Sequence, residues 1–164
     1  MSNILFICHG NTCRSPMAEF IMKKLVQDAH RDKDFHIESA AVSNSVGYPV
    51  SQPAKRVLLK HDIDVPDRRS RQVCREDLDN FDYLVYMDAD NLRLLLYLFP
   101  KAPKNKLHSI MEYADRPMDD VADPWDTGDY DSTWDDLYVG CSALLRKLQQ
   151  AEQLIPLLED PNDF

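Results

Sequence analysis

A cysteine and an arginine bracket a short polar loop near the start of this chain. Five residues separate Cys8 from Arg14: His9, Gly10, Asn11, Thr12 and Cys13. A loop of this length can point successive backbone N–H groups at one tetrahedral anion, and Gly10 and Asn11 can adopt the left-handed backbone that it requires. The planar guanidinium of Arg14 matches two phosphate oxygens. Beside these groups, we expect Cys8 to form a thiolate that attacks phosphorus without help from a metal or cofactor. We call residues 8–14 the phosphate loop.

The residues on either side predict the elements that hold the phosphate loop. The apolar run 4–7 indicates a buried parallel strand that ends at the cysteine. Pro16 favours the first turn of a helix, because its missing N–H would be unpaired there anyway. Ser15 fits a helix cap. We therefore expect the positive end of a helix to face the bound anion.

The rest of the chain alternates between helix and strand patterns. Helices are predicted at 16–30, 53–61, 91–99 and 133–153, and further strands at 35–42, 83–87 and 106–111. This order predicts a single-domain α/β fold, a flavodoxin-like three-layer sandwich with a four-stranded parallel sheet and helices on both faces. The domain is expected at 1–155, followed by an acidic C-terminal tail at 156–164.

Composition narrows the class of protein. A length of 164 residues fits one domain, and a net charge of -9 argues against binding to nucleic acid. No segment approaches the roughly 20 apolar residues that span a membrane, and no basic leader precedes an apolar stretch. The four cysteines, at 8, 13, 74 and 141, lack the close pairs typical of metal sites. We expect a cytoplasmic protein with no membrane partner.

The phosphate loop resembles that of the low-molecular-weight protein tyrosine phosphatases, whose pattern is Cys-x-Gly-Asn-x-Cys-Arg-Ser followed closely by Pro. Every fixed position is matched: Cys8, Gly10, Asn11, Cys13, Arg14, Ser15 and Pro16. A bare Cys-x5-Arg is a weak signal, but the full pattern is specific. Further matches cover nearly the whole chain: Ser39-Ala40-Ala41, Ser70-Arg71-Gln72, Phe81-Asp82-Tyr83, Met87-Asp88 and Asp123-Pro124-Trp125.

The resemblance implies hydrolysis of phosphotyrosine in phosphorylated proteins or peptides, by a monomer or weak dimer. Cys8 would attack phosphorus, Asp123 would protonate the leaving oxygen, and water would then hydrolyse the cysteinyl phosphate. Arg14 and the loop N–H groups would stabilise the phosphoryl oxygens throughout. The resemblance also gives Ser15 a donor role toward the thiolate, and makes Asn11 a loop-shaping residue.

Asp123 lies in the segment Ala-Asp-Pro-Trp-Asp, where Pro124 fixes the local backbone and so gives the carboxyl a defined direction. The simpler interpretation is a turn aspartate. Nine aspartates lie within residues 115–136, which raises the alternative of a calcium loop. No window there has the Asp-x-Asp-x-Asp-Gly spacing with a final glutamate, so no metal site is predicted.

Three residues near these groups receive roles from the resemblance. Trp125 is expected to wall the substrate cleft, where an aromatic ring can stack on phenyl phosphate. Tyr48 is the candidate for the opposite wall. Cys13 is expected to form a disulfide with Cys8 under peroxide and so protect the nucleophile from irreversible oxidation, although inert packing is the simpler interpretation.

Other functions remain open at this point. Thr12 resembles the residue at this loop position in protein-arginine phosphatases. A thioredoxin-coupled arsenate reductase would need two further neighbouring cysteines, and only Cys74 lies in the relevant region. A non-catalytic phosphate-binding module would not need the cysteine together with Asp123. His9 shapes specificity or points to solvent, and the arginines of the stretch 68–75 fit a solvated face or a dock for acidic substrate segments.

Overall fold

The computed structural model describes the backbone of residues 1–158 and the side chains of residues 1–153. Four strands and six α-helices follow one another along this part of the chain: β1 Ser2–Cys8, α1 Arg14–Asp28, β2 Phe35–Ala41, α2 Gln52–Lys60, α3 Arg75–Asn80, β3 Tyr83–Tyr86, α4 Ala89–Leu98, β4 Leu107–Ser109, α5 Pro124–Thr127 and α6 Tyr130–Leu158. In the described residues, no helix has the length and apolar character needed to cross a membrane. The predicted tail at 156–164 lies outside the described residues, except that 156–158 continue α6.

The sheet is parallel throughout and has the strand order β2-β1-β3-β4. This arrangement confirms the predicted α/β fold. Strand β1 lies between β2 and β3, so the chain crosses over in opposite directions on its two sides. Such a switch point leaves a crevice at the carboxyl ends of the strands, which is where ligands bind in open α/β sheets. Cys8 ends β1 at that crevice.

Strand β1 is apolar in every position from 4 to 7 because both of its faces are buried. Ile4 and Phe6 pack into a core that includes α1, α2 and α6. Leu5 and Ile7 pack into a second core on the opposite face, which includes residues of α3 and α4. The strand that carries Cys8 is therefore held from both sides.

The structure differs from the predicted elements at α3, at α5, which was not predicted, at the end of β4, and at α6, which runs from Tyr130 to Leu158 where a helix was predicted at 133–153. Helix α3 was not predicted, because its six residues are mostly polar and too few to show an apolar period. Strand β4 ends at Ser109, whereas 106–111 was predicted as strand. There the Glu112 side chain accepts a hydrogen bond from the Ser109 N–H at 2.7 Å, and residues Ile110–Ala114 form a 3₁₀ helix.

Gly140 lets helix α6 approach this 3₁₀ helix closely. A Cβ atom at Gly140 would lie 2.7 Å from Cγ1 of Ile110 and 3.2 Å from its carbonyl oxygen. Real Cβ atoms essentially never come that close to carbon, so the packing of α6 depends on the absence of a side chain here.

Candidate active site

The phosphate loop joins β1 to α1, so the helix N-terminus opens directly onto it, as predicted. Asn11 takes the left-handed conformation with φ of 55°, whereas Gly10 does not. The sequence had allowed both residues that role. An asparagine tolerates this region because its short side chain can hydrogen-bond locally.

Two donors converge on the sulfur of Cys8, which is buried. The Ser15 hydroxyl oxygen lies 2.9 Å from Cys8 Sγ, and the Asn11 backbone N–H donates to the same sulfur at 3.3 Å. Hydrogen bonds to a charged form favour it, so both contacts stabilise a thiolate. Ser15 is the second residue of α1, and this contact, rather than a helix cap, occupies its side chain.

Arg14 lies buried at the base of the cleft, with both terminal nitrogens held. Nη1 bonds the Asp88 carboxylate at 2.5 Å and the Val121 carbonyl at 2.9 Å, and Nη2 lies 3.4 Å from Asp123 Oδ2. Burial by itself would lower the pKa of Arg14, but attraction to Cys8, Asp88 and Asp123 outweighs it and raises that pKa above its ordinary value. The guanidinium is therefore a fixed, permanent positive charge.

Asp123 precedes the four-residue helix α5, whose first residue is Pro124. Its Oδ1 accepts a hydrogen bond from the Trp125 N–H at 3.1 Å, while Oδ2 faces Arg14. The cap and the proline fix the direction of the carboxyl group, which stays partly open to solvent. A carboxyl group held in this way can give a proton to a leaving group or take one from water.

These groups surround a cleft of about 220 Å³. Eight residues line it: Cys8, His9, Gly10, Thr12, Cys13, Arg14, Asp123 and Trp125. Trp125 is 76% exposed, as a side chain at a cleft mouth can be. Tyr48 is not among the lining residues and is 60% exposed on the neighbouring loop, so its contact with substrate stays a prediction.

Cys13 is a free thiol in the same cleft as Cys8. Its sulfur lies 3.3 Å from the Ser51 hydroxyl oxygen and 3.6 Å from the Tyr130 hydroxyl oxygen. Burial and the contact with Cys13 raise the pKa of Tyr130 to about 12. The predicted disulfide with Cys8 is not formed in this state and stays a prediction.

The arginines of the stretch 68–75 do not form one solvated face. Arg68 donates to the backbone and side-chain oxygens of Asn11, at 2.9 and 2.5 Å, from behind the phosphate loop. Arg71 pairs with Asp77 at 2.9 Å. Arg69 and Arg75 are exposed, as predicted. The charge pattern gave no signal for Arg68, because its contacts are with residues far away in the chain.

Comparison with known proteins identifies a family of phosphatases, in agreement with the geometry of the cleft. A family model described as low molecular weight phosphotyrosine protein phosphatase matches residues 3–154. The chain belongs to this family. The low molecular weight protein-tyrosine-phosphatase YfkJ of Bacillus subtilis is 32% identical over 156 residues, which cover 94% of this chain and 100% of that protein.

Solved structures of the low-molecular-weight phosphatases share this fold. The crystal structure of YfkJ from Bacillus subtilis matches with a TM-score of 0.88 and 31% identity, covering 92% of this chain and 96% of that one. The YwlE arginine phosphatase from Geobacillus stearothermophilus matches with a TM-score of 0.79 and 30% identity, covering 94% and 96%. Because these two relatives carry different substrate names, membership of the family does not by itself identify the substrate of this phosphatase.

Proposed function

We propose that this phosphatase hydrolyses phosphotyrosine in proteins or peptides through a cysteinyl-phosphate intermediate. The observation that carries the proposal is the convergence of Cys8, Arg14 and Asp123 on one cleft. Together they supply a nucleophile, a phosphate-binding cation and a proton donor, which is a complete set for cleaving a phosphate monoester.

In the first step, the thiolate of Cys8 attacks phosphorus, the S–P bond forms and the bond to the tyrosine oxygen breaks. Asp123 gives its proton to that oxygen, so tyrosine leaves as a neutral phenol. The guanidinium of Arg14 and the loop N–H groups bind the three oxygens that carry the transition-state charge.

In the second step, a water attacks the cysteinyl phosphate and the S–P bond breaks. Asp123, now a carboxylate, takes a proton from the water, and the hydroxyl of Ser15 stabilises the departing thiolate of Cys8. Inorganic phosphate is released, and the site returns to its starting state. Cys8 and Asp123 thus act in the direction opposite to their action in the first step, while Arg14 and the loop N–H groups act alike in both.

The cleft supports an aromatic substrate on one side. The exposed ring of Trp125 borders it and can stack on the phenyl ring of phosphotyrosine. Tyr48 lies on the loop 43–51, whose backbone is tied to the phosphate loop where the Ser51 N–H donates to the Thr12 carbonyl at 3.0 Å. A peptide that extends beyond the phosphotyrosine would reach this loop.

Phosphoarginine is the second candidate substrate, and Thr12 favours it. Thr12 lines the cleft, where its hydroxyl can contact a group attached to phosphorus. The YwlE relative reported above is named an arginine phosphatase. We rank phosphotyrosine first because Trp125 offers a flat apolar wall and Asp123 can protonate a phenolate.

The proposed function is tested by comparing kcat/KM for one peptide sequence carrying phosphotyrosine or phosphoarginine, using the wild type and Thr12→Ile. We expect the wild type to prefer phosphotyrosine and Cys8→Ser to have no turnover on either peptide. If the wild type instead prefers phosphoarginine and Thr12→Ile reverses that preference, then phosphoarginine would replace phosphotyrosine as the proposed substrate. We further propose that the protein acts in the cytoplasm as a monomer or weak dimer. Sedimentation of the purified protein tests the oligomeric state, and fractionation of cells tests the compartment.

A further inference from the structure

Arg68 lies behind the phosphate loop and does not line the cleft. The backbone that follows Arg68 is held by two isolated bridges, in which Arg69 pairs with Pro49 and Gln72 pairs with Ala41. From this position the two terminal nitrogens of Arg68 reach the phosphate loop. Nη1 donates to the Asn11 carbonyl at 2.9 Å, and Nη2 donates to Asn11 Oδ1 at 2.5 Å and to Ser39 Oγ at 3.2 Å.

These contacts determine which way the Asn11 amide faces. A guanidinium and a backbone N–H can only donate, and both Arg68 and the Arg71 N–H, at 3.2 Å, meet the same end of the amide. That end is therefore the oxygen. The two N–H bonds of Asn11 Nδ2 are left to donate to Ser15 Oγ at 2.8 Å and to Ser39 Oγ at 2.9 Å.

The orientation of Asn11 in turn directs the proton of Ser15. Because Ser15 Oγ accepts from Asn11, its own hydrogen is free to donate, and Cys8 Sγ lies 2.9 Å away. Ser39 is fixed in the same way, since it accepts from Asn11 and donates to Glu19 Oε1 at 2.6 Å. A chain of donors thus runs from Arg68 through Asn11 and Ser15 to Cys8.

Arg68 also brings a second positive charge to the base of the phosphate loop. Burial lowers the pKa of Arg68 below its ordinary value, in opposition to the attraction of Glu19 and Cys8, and an arginine remains charged despite such a shift. Asn11 has a left-handed backbone with φ of 55°. The two hydrogen bonds from Arg68 to its carbonyl and side-chain oxygens help to hold that conformation.

We propose that Arg68 is a positioning residue for the nucleophile, acting through Asn11 and Ser15 to direct a hydrogen bond at Cys8. This rests on the proposed function in one respect, namely that Cys8 is the attacking group. Arg68 touches neither substrate nor the reacting atoms. We therefore expect its effect on the reactivity of Cys8 to exceed its effect on the binding of phosphate.

The test uses Arg68→Met, Arg68→Lys and, as a matched control, Arg69→Met. Arg69 is the neighbouring arginine, exposed and 3.7 Å from Asp67 on the surface. We expect Arg68→Met to lower kcat on para-nitrophenyl phosphate by roughly tenfold to a hundredfold, the range that one or two lost charged hydrogen bonds imply. Inhibition by inorganic phosphate should change much less than kcat, and Arg69→Met should behave as wild type.

The reactivity of Cys8 gives a second readout, through the pH dependence of its alkylation by iodoacetamide. The charged and titratable groups around Cys8 are Arg14 with its partners Asp88 and Asp123, Arg68 with Glu19, and the cleft residues His9 and Cys13. In Arg68→Met the alkylation curve should move to higher pH, because the thiolate loses a directed donor and a nearby cation. Arg68→Lys keeps the positive charge but not the two terminal nitrogens that donate to Asn11. Its alkylation curve should therefore lie between those of the wild type and Arg68→Met.

A double variant tests the route of action. If Arg68 acts through Ser15, then Arg68→Met should lower kcat by a much smaller factor in a Ser15→Ala background than in the wild type. The proposal would be overturned if the loss in kcat were equal in both backgrounds, or if Arg68→Met had the same kinetics as Arg69→Met. If Arg68→Met does not fold, as judged by thermal unfolding, Arg68→Lys gives the same comparison. Alkylation needs no phosphopeptide, so a failure on phosphotyrosine would count against the substrate alone.

Discussion

Asp88 joins Arg14 of the phosphate loop to the start of helix α4. One carboxylate oxygen of Asp88 bonds Arg14 Nη1 at 2.5 Å, and the other accepts from the Asn91 N–H at 2.7 Å and so caps α4. The same side chain thus orients a group in the cleft and stabilises the helix that follows it. Substitutions at this position should separate the two effects.

We predict that Asp88→Asn lowers kcat/KM about tenfold, because Arg14 loses a charged partner worth about 1.5–3 kcal/mol. Asparagine caps helices as well as aspartate does, so α4 should remain capped. Asp88→Ala should lose activity as well, and should be less stable than Asp88→Asn by about 1 kcal/mol in urea unfolding, through loss of the cap. Wild-type activity in Asp88→Asn would show that Arg14 needs no such partner.

The role of Asp123 is tested by the leaving group. Asp123→Ala should slow hydrolysis of phosphotyrosine by roughly a hundredfold or more. Hydrolysis of phosphate esters with acidic leaving groups should slow far less, because such leaving groups depart without a proton. Asp126→Ala is the matched control, an exposed aspartate in the short helix that Asp123 caps. Equal losses on both classes of ester would mean that Asp123 is not the proton donor.

Redox control depends on Cys13. Peroxide should convert the Cys8 thiolate to a sulfenic acid, which Cys13 can condense with to form a disulfide that thiols reopen. After peroxide and then dithiothreitol, the wild type should recover much more activity than Cys13→Ser, in which Cys8 can proceed to the sulfinic acid. Cys74→Ser, at an exposed cysteine, should recover like the wild type. Oxidised wild type without a Cys8 to Cys13 bond in its mass spectrum would assign Cys13 to packing.

The stability of the protein should fall when a side chain is added at the contact between α6 and the 3₁₀ helix. Alanine is a better helix former than glycine by about 1 kcal/mol, yet a Cβ atom at Gly140 would overlap the buried Ile110. Overpacking of this kind costs typically 1–3 kcal/mol, so we expect Gly140→Ala to lower the free energy of unfolding. Ser142→Ala in the same helix should show only the gain in propensity. Urea unfolding measures both, and a more stable Gly140→Ala would mean that Ile110 moves aside.

The sequence predicts the parts of the site whose residues are close together in the chain, and it misses those that depend on contacts between distant residues. The phosphate loop was predictable because its strand, its turn residues and its helix start are adjacent in the chain. Asp123 followed from the resemblance. Arg68 was misjudged, because an arginine among other arginines looks solvated until the fold brings it to Asn11, 57 residues away. Helix α3 was missed because its polar residues are held by contacts such as Arg71 with Asp77, which no local pattern reveals.

The two tryptophans of the chain lie in opposite surroundings. Trp125 stands in water at the cleft, while Trp134 is buried and stacks on His61 with ring centroids 3.8 Å apart. Soluble quenchers such as iodide should therefore reach the first indole far more than the second, and the first should emit at longer wavelength. Occupation of the cleft can therefore be followed by intrinsic fluorescence, with Trp134 as an internal reference and no added dye.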